Sequence, residues 1–175
     1  LVSSTGLVIA IALIAASCAL FYAHNFIHNQ VRSQLAAEKI TFPAAGSKSL
    51  TSLPAADRSQ VGQYAGQQLL TGSQAKVFAD NYIAAHLKRT GGGKTYSELS
   101  TASLANPSDA KLAGQVQTVF RGETLRGLLL NAYAFDTVGM VAYYAGIGAL
   151  VTAALLVVLS MLGFSHASRA KSRRR

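Results

Sequence analysis

Two apolar runs bracket a polar middle. The C-terminal run, Val138 to Phe164, reads VGMVAYYAGIGALVTAALLVVLSMLGF and holds no charged residue. A hydrocarbon core of about 30 Å is crossed by about 20 helical residues, so this run predicts a spanning helix with room for tilt. The N-terminal run, Leu1 to Tyr22 (LVSSTGLVIAIALIAASCALFY), is also uncharged and apolar enough to span. Both carry small residues four apart: Gly6/Ala10, Ala12/Ala16 and Ala15/Ala19 in the first, Ala142/Gly146, Gly148/Thr152 and Ala149/Ala153 in the second. In lipid, helices associate by close packing, so these faces predict that the spans pack on each other or on another protein.

Between the runs the pattern is helical throughout, with no alternation that predicts strands and no internal repeat. Ile27, Val31 and Leu35 recur every four residues, which extends the first helix out of the membrane as an amphipathic stalk ending at Thr41-Phe42-Pro43. The small polar stretch Ala44 to Ser52 reads as a loop. Ala55 to Leu70 predicts a weak helix containing Gly62 and Gly66, with Gly72 as a C-terminal cap and Ser73 capping the next helix. Gln74 to Arg89 is the clearest amphipathic helix of the middle, with Val77, Phe78, Tyr82, Ile83 and Leu87 on its apolar side. Gly91-Gly92-Gly93 ends it, and Tyr96 to Leu104 forms a short helix. Asn106-Pro107-x-Asp109 predicts the start of a long helix that runs into the second span.

Charge sets the orientation. Of a formal net charge of +9, five positive charges sit in the tail behind the second run, on Arg169, Lys171, Arg173, Arg174 and Arg175. Short basic segments stay cytoplasmic, which places the C-terminus inside. With two spans the N-terminus is then also inside. The expected fold is an all-α membrane protein with two transmembrane helices, N-in/C-in, and a small extracytoplasmic helical domain between their extended outer ends. Its segments are 1–23 (first span), 24–137 (extracytoplasmic domain), 138–164 (second span) and 165–175 (basic cytoplasmic tail). The expected location is the cell membrane, multi-pass. Membrane topology and anionic headgroups account for the basic tail, and no recognition motif accompanies it, so nucleic acid is not an expected partner.

The N-terminal run has two processing alternatives. Ala15-Ala16-Ser17-Cys18 loosely matches a lipoprotein cleavage box, and the run also fits a secretory signal. A retained anchor is the expected state, with further residues upstream of Leu1. Cys18 is the single cysteine, so no internal disulfide and no cysteine metal site is expected. In the membrane it reads as a small hydrophobe.

Candidate chemistry is sparse. His24 and His28 stand one helical turn apart, at metal-ligand spacing, where the first helix leaves the membrane. Glu123 or Asp136 are the carboxylates that would have to approach from the other long helix. The competing reading is an interfacial polar pair, and it is favoured: no metal, cofactor-binding or catalytic residue is assigned. Gly91-Gly92-Gly93-Lys94-Thr95 ends like a phosphate-binding loop, but Lys88 stands where the first glycine belongs and a helix precedes it, so it reads as a turn. His86 and His166 are solitary. Asp136, two residues before the apolar run, wants a partner: another subunit, Arg126 or Arg121, or simply exposure at the end of the span. No nucleophile elbow, haem-ligand cluster or carboxylate pair is present, and no enzyme is expected.

Several strings carry a family resemblance: Tyr64-Ala65-Gly66-Gln67, Gly72-x-Gln74-Ala75, Ala79-Asp80-x-Tyr82-Ile83-x-x-His86-Leu87, Gly92 to Tyr96, and Thr118-Val119-Phe120-Arg121-Gly122-Glu123-Thr124-Leu125-Arg126-Gly127-Leu128-Leu129-Leu130. From Tyr64 to the second span, the chain resembles a family of actinobacterial two-span membrane proteins of poorly known function. Members sometimes carry a ring-opening dioxygenase label, but the two-His-one-carboxylate iron site which that implies is not visible in this chain. The chain is also similar to an association factor of the actinobacterial respiratory supercomplex, the cytochrome bcc–aa3 assembly. The resemblance implies a non-catalytic accessory subunit of the respiratory chain, with membrane lipids and cytochrome bcc and aa3 oxidase subunits as partners. Two other classes stay open. One is a metal-binding protein using His24 and His28, and the other is a free-standing envelope or signalling membrane protein.

Overall fold

The computed structural model describes the backbone of residues 2–172 and most of the side chains within it. Of the basic tail, Arg173, Arg174 and Arg175 and the side chain of Lys171 lie outside the described residues. Every regular element among those residues is helical: α1 (Val2–Glu38), α2 (Lys48–Thr51), α3 (Ala55–Gly62), α4 (Gly72–Val77), a π-helical turn (Phe78–Ile83), α5 (Ala84–Thr90), α6 (Tyr96–Ala105) and α7 (Ala110–Ser172). Strand-like pairing is limited to one isolated antiparallel bridge between Thr41 and Gln68. Two helices, α1 and α7, are long and apolar enough to cross a membrane. The chain divides into two compact units. One, called the membrane unit because its two helices are long and apolar enough to span, comprises residues up to His28 and from Val138 onward, and a polar unit comprises Asn29–Thr137.

In the membrane unit α1 and α7 run antiparallel along a seam with a seven-residue step. Ala10 and Ser17 are buried on α1, and Gly139, Gly146, Ala153 and Ser160 on α7. This step keeps one narrow face of each helix toward its neighbour. The seam residues are small because the backbones come close. A Cβ on Gly146 would stand 3.0 Å from the Phe21 ring, and one on Gly139 would stand 3.2 Å from Ile27 Cγ2. Gly6 makes room for the Ser160 hydroxyl, 2.6 Å from where its Cβ would be. Of the small-residue pairs in the sequence, Gly6/Ala10, Ala142/Gly146 and Ala149/Ala153 lie on the seam. Ala12/Ala16, Ala15/Ala19 and Gly148/Thr152 are exposed.

The polar unit is built around Phe42, which is 2% exposed. Its ring lies 5.2 Å from Tyr64 and meets Phe78 edge-on at 5.2 Å. Val61, Leu69, Leu99 and Val119 complete a dry interior. Two extended segments frame Phe42, with Phe42 N–H donating to Gln67 O (2.9 Å) and Leu69 N–H to Ile40 O (2.8 Å).

Several boundaries differ from the sequence reading, each for a local reason. α1 stops at Glu38, because Lys39 takes the left-handed conformation (φ 51°) and turns Phe42 inward. The helix expected over Ala55 to Leu70 ends at Gly62, and Gly66 (φ 73°) turns the chain into the extended Gln67–Leu69 segment. The cap of α4 is Thr71 rather than Ser73. Its side chain accepts from Gln74 N–H while the Gln74 amide oxygen accepts from Thr71 N–H, a closed capping box. α7 begins after Asp109, whose carboxylate accepts from Leu112 N–H at 2.9 Å. Asn106 instead ends α6, donating to Ala102 O. The long uninterrupted helix expected toward Phe164 is present, as is the stalk face: Val31 and Leu35 are buried.

Candidate functional site

Inside the membrane unit the polar side chains of the seam reach backbone carbonyls of the facing helix. Ser17 Oγ donates to Gly146 O at 2.8 Å, and His24 Nδ1 lies 2.9 Å from Gly139 O. A carbonyl only accepts, so Nδ1 carries the proton and, in the neutral ring, Nε2 holds the lone pair. His28 stacks beside it with ring centroids 6.0 Å apart, and Tyr143 lies 5.0 Å away. The two histidines are together, as their spacing predicts. Among the described residues no group of three or more His, Cys, Asp or Glu side chains converges on a point where a metal could sit. The His24 ring thus has the tautomer that leaves Nε2 open to a ligand or a hydrogen-bond donor. Cys18 is exposed on α1, away from the seam.

In the polar unit Lys76, Asp80, Glu123 and Arg126 form a cluster of ion pairs. Asp80, on the π-helical turn, accepts from Lys76 Nζ at 2.6 Å and from Arg126 Nη2 of α7 at 3.1 Å. The widened turn lets neighbouring side chains serve different helices. Asp80 faces α7, while Asn81 Nδ2 donates to Asp57 Oδ1 of α3 at 2.9 Å. Burial pushes the Asp80 carboxyl up, but the hydrogen bonds and charges of Lys76 and Arg126 outweigh it and hold the group below its ordinary value. Arg126 answers in kind. Burial works against its charge, and its bonds to Asp80 and Glu123 raise its pKa all the same. Lys76 is raised by its hydrogen bond and charge contact with Asp80, and its ammonium sits 5.4 Å over the Tyr133 ring. Both partners of the long-range pair are about a third exposed, which limits such a contact to about 0.2–1 kcal/mol.

Glycines set the approach of the helices here too. A Cβ on Gly122 would strike Leu87, with Cδ1 and Cγ both at 3.1 Å, so α5 lies directly against α7. A Cβ on Gly72 would lie 2.7 Å from Asp136 Oδ2, so the Asp136 side chain packs on the first turn of α4. Arg126 is thus turned to Asp80 and Glu123, and Asp136 rests on Gly72. Arg121 is exposed. His86 is half-buried, Nδ1 to Tyr82 O at 2.8 Å and its ring 4.5 Å from Tyr82, a structural placement. His166 is exposed. The triglycine stretch is a turn, as its sequence predicts, with Gly92 and Gly93 at positive φ. The Asp80–Arg126 pair was not foreseen, since 46 residues separate its partners and nothing local signals it.

Comparison with known proteins finds no matching family model, no matching curated protein and no matching solved structure.

Proposed function

We propose that the chain is a non-catalytic accessory subunit of a bacterial membrane complex, the respiratory cytochrome bcc–aa3 assembly. In this reading both termini are cytoplasmic and the Asn29–Thr137 unit is extracytoplasmic. One observation carries it. The most apolar window of each long helix is only 11% buried within the chain, while Ser17 and His24 are already bonded to the chain's own backbone. Such a pair of helices offers lipid and neighbouring helices a large apolar surface. The basic residues behind the second span support the inside placement of the C-terminus. The likeness of small two-span proteins of this kind to the association factor of that assembly supports the respiratory partner.

The test is affinity purification of the tagged chain from native membranes in mild detergent, with co-purifying proteins identified by mass spectrometry. Near-stoichiometric cytochrome bcc and aa3 subunits are expected. A lone small species, or unrelated envelope partners, would remove the respiratory reading and leave a free-standing membrane protein. Orientation is tested separately by a Ser108→Cys variant lacking Cys18. An impermeant maleimide should label it in intact cells, and labelling only after lysis would reverse the topology.

A further inference from the structure

A cavity of 460 Å³ opens in the polar unit where the α2–α3 corner faces the end of α5. Leu53, Pro54 and Ala85 give it an apolar lining. Lys88, Arg89 and Ser52 also line it. Gly92 and Gly93, at positive φ that favours glycine, complete the lining without side chains, with open space within 4 Å where a Cβ would be. The volume falls in the range of small-molecule sites, about 300–1,000 Å³.

The end of α5 does not need the two cations for its carbonyls. Lysine and arginine at a helix end ordinarily complement its unpaired carbonyls. Here those carbonyls are already taken. Leu87 O accepts from Gly91 N–H, Lys88 O from Gly93 N–H, Arg89 O from Gly92 N–H, and Thr90 O from the Gln115 amide. Among the described residues the Lys88 ammonium, the Arg89 guanidinium and the Ser52 hydroxyl have no hydrogen-bond or ion-pair partner. The acids that flank the region in sequence are engaged, Asp57 with Asn81 and Glu98 with Thr95. An apolar lining beside two unneutralised cations and a hydroxyl selects a ligand with one anionic end and one apolar body.

We propose that this cavity binds a compact organic anion, a phosphate or carboxylate carried on a small apolar group, with Lys88, Arg89 and Ser52 holding the anion and Leu53, Pro54 and Ala85 the body. The chemistry admits two sources, a soluble organic acid or an acidic lipid headgroup with the start of its apolar part.

The test uses the full chain, 15N-labelled, in nanodiscs of neutral lipid, titrated with phenyl phosphate and followed at the Ala85, Gly92 and Gly93 amides. Saturable shifts are expected. Benzyl alcohol, which lacks the charge, and inorganic phosphate, which lacks the apolar body, should each bind at least about tenfold more weakly. Lys88→Gln/Arg89→Gln, two changes on exposed side chains, should weaken phenyl phosphate by at least about tenfold, whereas Lys111→Gln should leave it unchanged. Ala85→Leu, which adds bulk to the apolar lining, should also cut binding, with an unchanged amide spectrum elsewhere showing that the unit is folded. The proposal is overturned by unsaturable shifts, by equal binding of benzyl alcohol or inorganic phosphate, or by full affinity in the double variant. Repeating the spectrum in anionic nanodiscs separates the sources. Shifts at Gly92 and Gly93 without added solute assign the ligand to the headgroup, and an unchanged spectrum assigns it to the soluble acid.

Discussion

The two units solve helix contact with opposite materials. In the membrane unit α1 and α7 meet through Ala10, Ser17, Gly139, Gly146 and Ala153, and the polar contacts end on backbone carbonyls. In the polar unit the contacts are large side chains around Phe42, with an ion pair between Asp80 and Arg126. The difference is the one expected of a unit in lipid beside a unit in water. In lipid an apolar side chain gains nothing by leaving its surroundings, so close backbone approach is what binds. In water, burying apolar area is the main driving force, and bulk is an asset. α7 passes through both regimes, yet glycine allows close approach in each: Gly122 against Leu87 in one, Gly139 and Gly146 against Ile27 and Phe21 in the other.

The comparison is broken most severely at Phe42. Truncating a buried phenylalanine costs about 3–5 kcal/mol, so Phe42→Ala should unfold or loosen the polar unit. Limited proteolysis should then cut within Asn29–Thr137 much faster, with the two apolar helices still protected in detergent. Next in size is Gly146→Leu. The added side chain meets the Phe21 ring and forces the seam apart, at a cost of about 1–3 kcal/mol. A cysteine pair at Ala10 and Ala153, in a chain lacking Cys18, reports the seam. It should cross-link readily with Gly146 present and poorly with leucine there, while Ala12→Leu on the exposed face should leave cross-linking unchanged.

Those two sites also mark what the sequence makes legible. The spans, the stalk face of Val31 and Leu35, and the long helix into Phe164 follow from hydropathy and period, which are local. The small-residue pairs narrowed the seam to a few faces, but choosing among them needs the partner helix, because Ala12/Ala16 and Gly6/Ala10 look alike on one helix. Phe42 read as the end of a helix before Pro43, and its place at the centre of the core depends on Lys39 and Gly66 turning the chain there. The Asp80–Arg126 pair and the contact of Gly72 with Asp136 join distant segments, and no local rule reaches them. Even the cap at Thr71 was legible in retrospect, since Gln74 at the third helical position completes a capping box that Ser73 cannot.

A smaller effect sharpens the electrostatic half of the comparison. The folded-state pKa of Asp80 lies below its ordinary value of 3.8, first against burial and then through Lys76 and Arg126. Its contribution is therefore complete above the unfolded value and is lost as pH falls through the lower folded one. The polar unit should lose stability below about pH 4, and Asp80→Asn should remove the part of that loss due to this pair. With its partners partly exposed, the pair is worth about 0.2–1 kcal/mol and should weaken in high salt. Denaturant titration of the wild type and Asp80→Asn at pH 3 and pH 7 measures it. An equal difference between the two proteins at both values would place the effect in packing rather than charge.

Ser17→Ala should have the smallest effect, and it tests the membrane half of the argument most directly. The Ser17 hydroxyl is buried and donates to Gly146 O across the seam. If that bond held the helices together, its loss would be severe in a medium without water. Two things moderate it. The Gly146 carbonyl keeps its bond along α7, and alanine is smaller than serine, so the seam can still close. Interhelical hydrogen bonds in membranes average about 0.6 kcal/mol, and Ser17→Ala should lower cross-linking of the Ala10/Ala153 cysteine pair only slightly. Ser17→Val, with no hydroxyl but greater bulk, should lower it far more. That order, bulk worse than a lost hydrogen bond, is the signature of a seam held by proximity. The reverse order would mean that the hydroxyl, rather than the small side chains around it, sets the approach of α1 to α7.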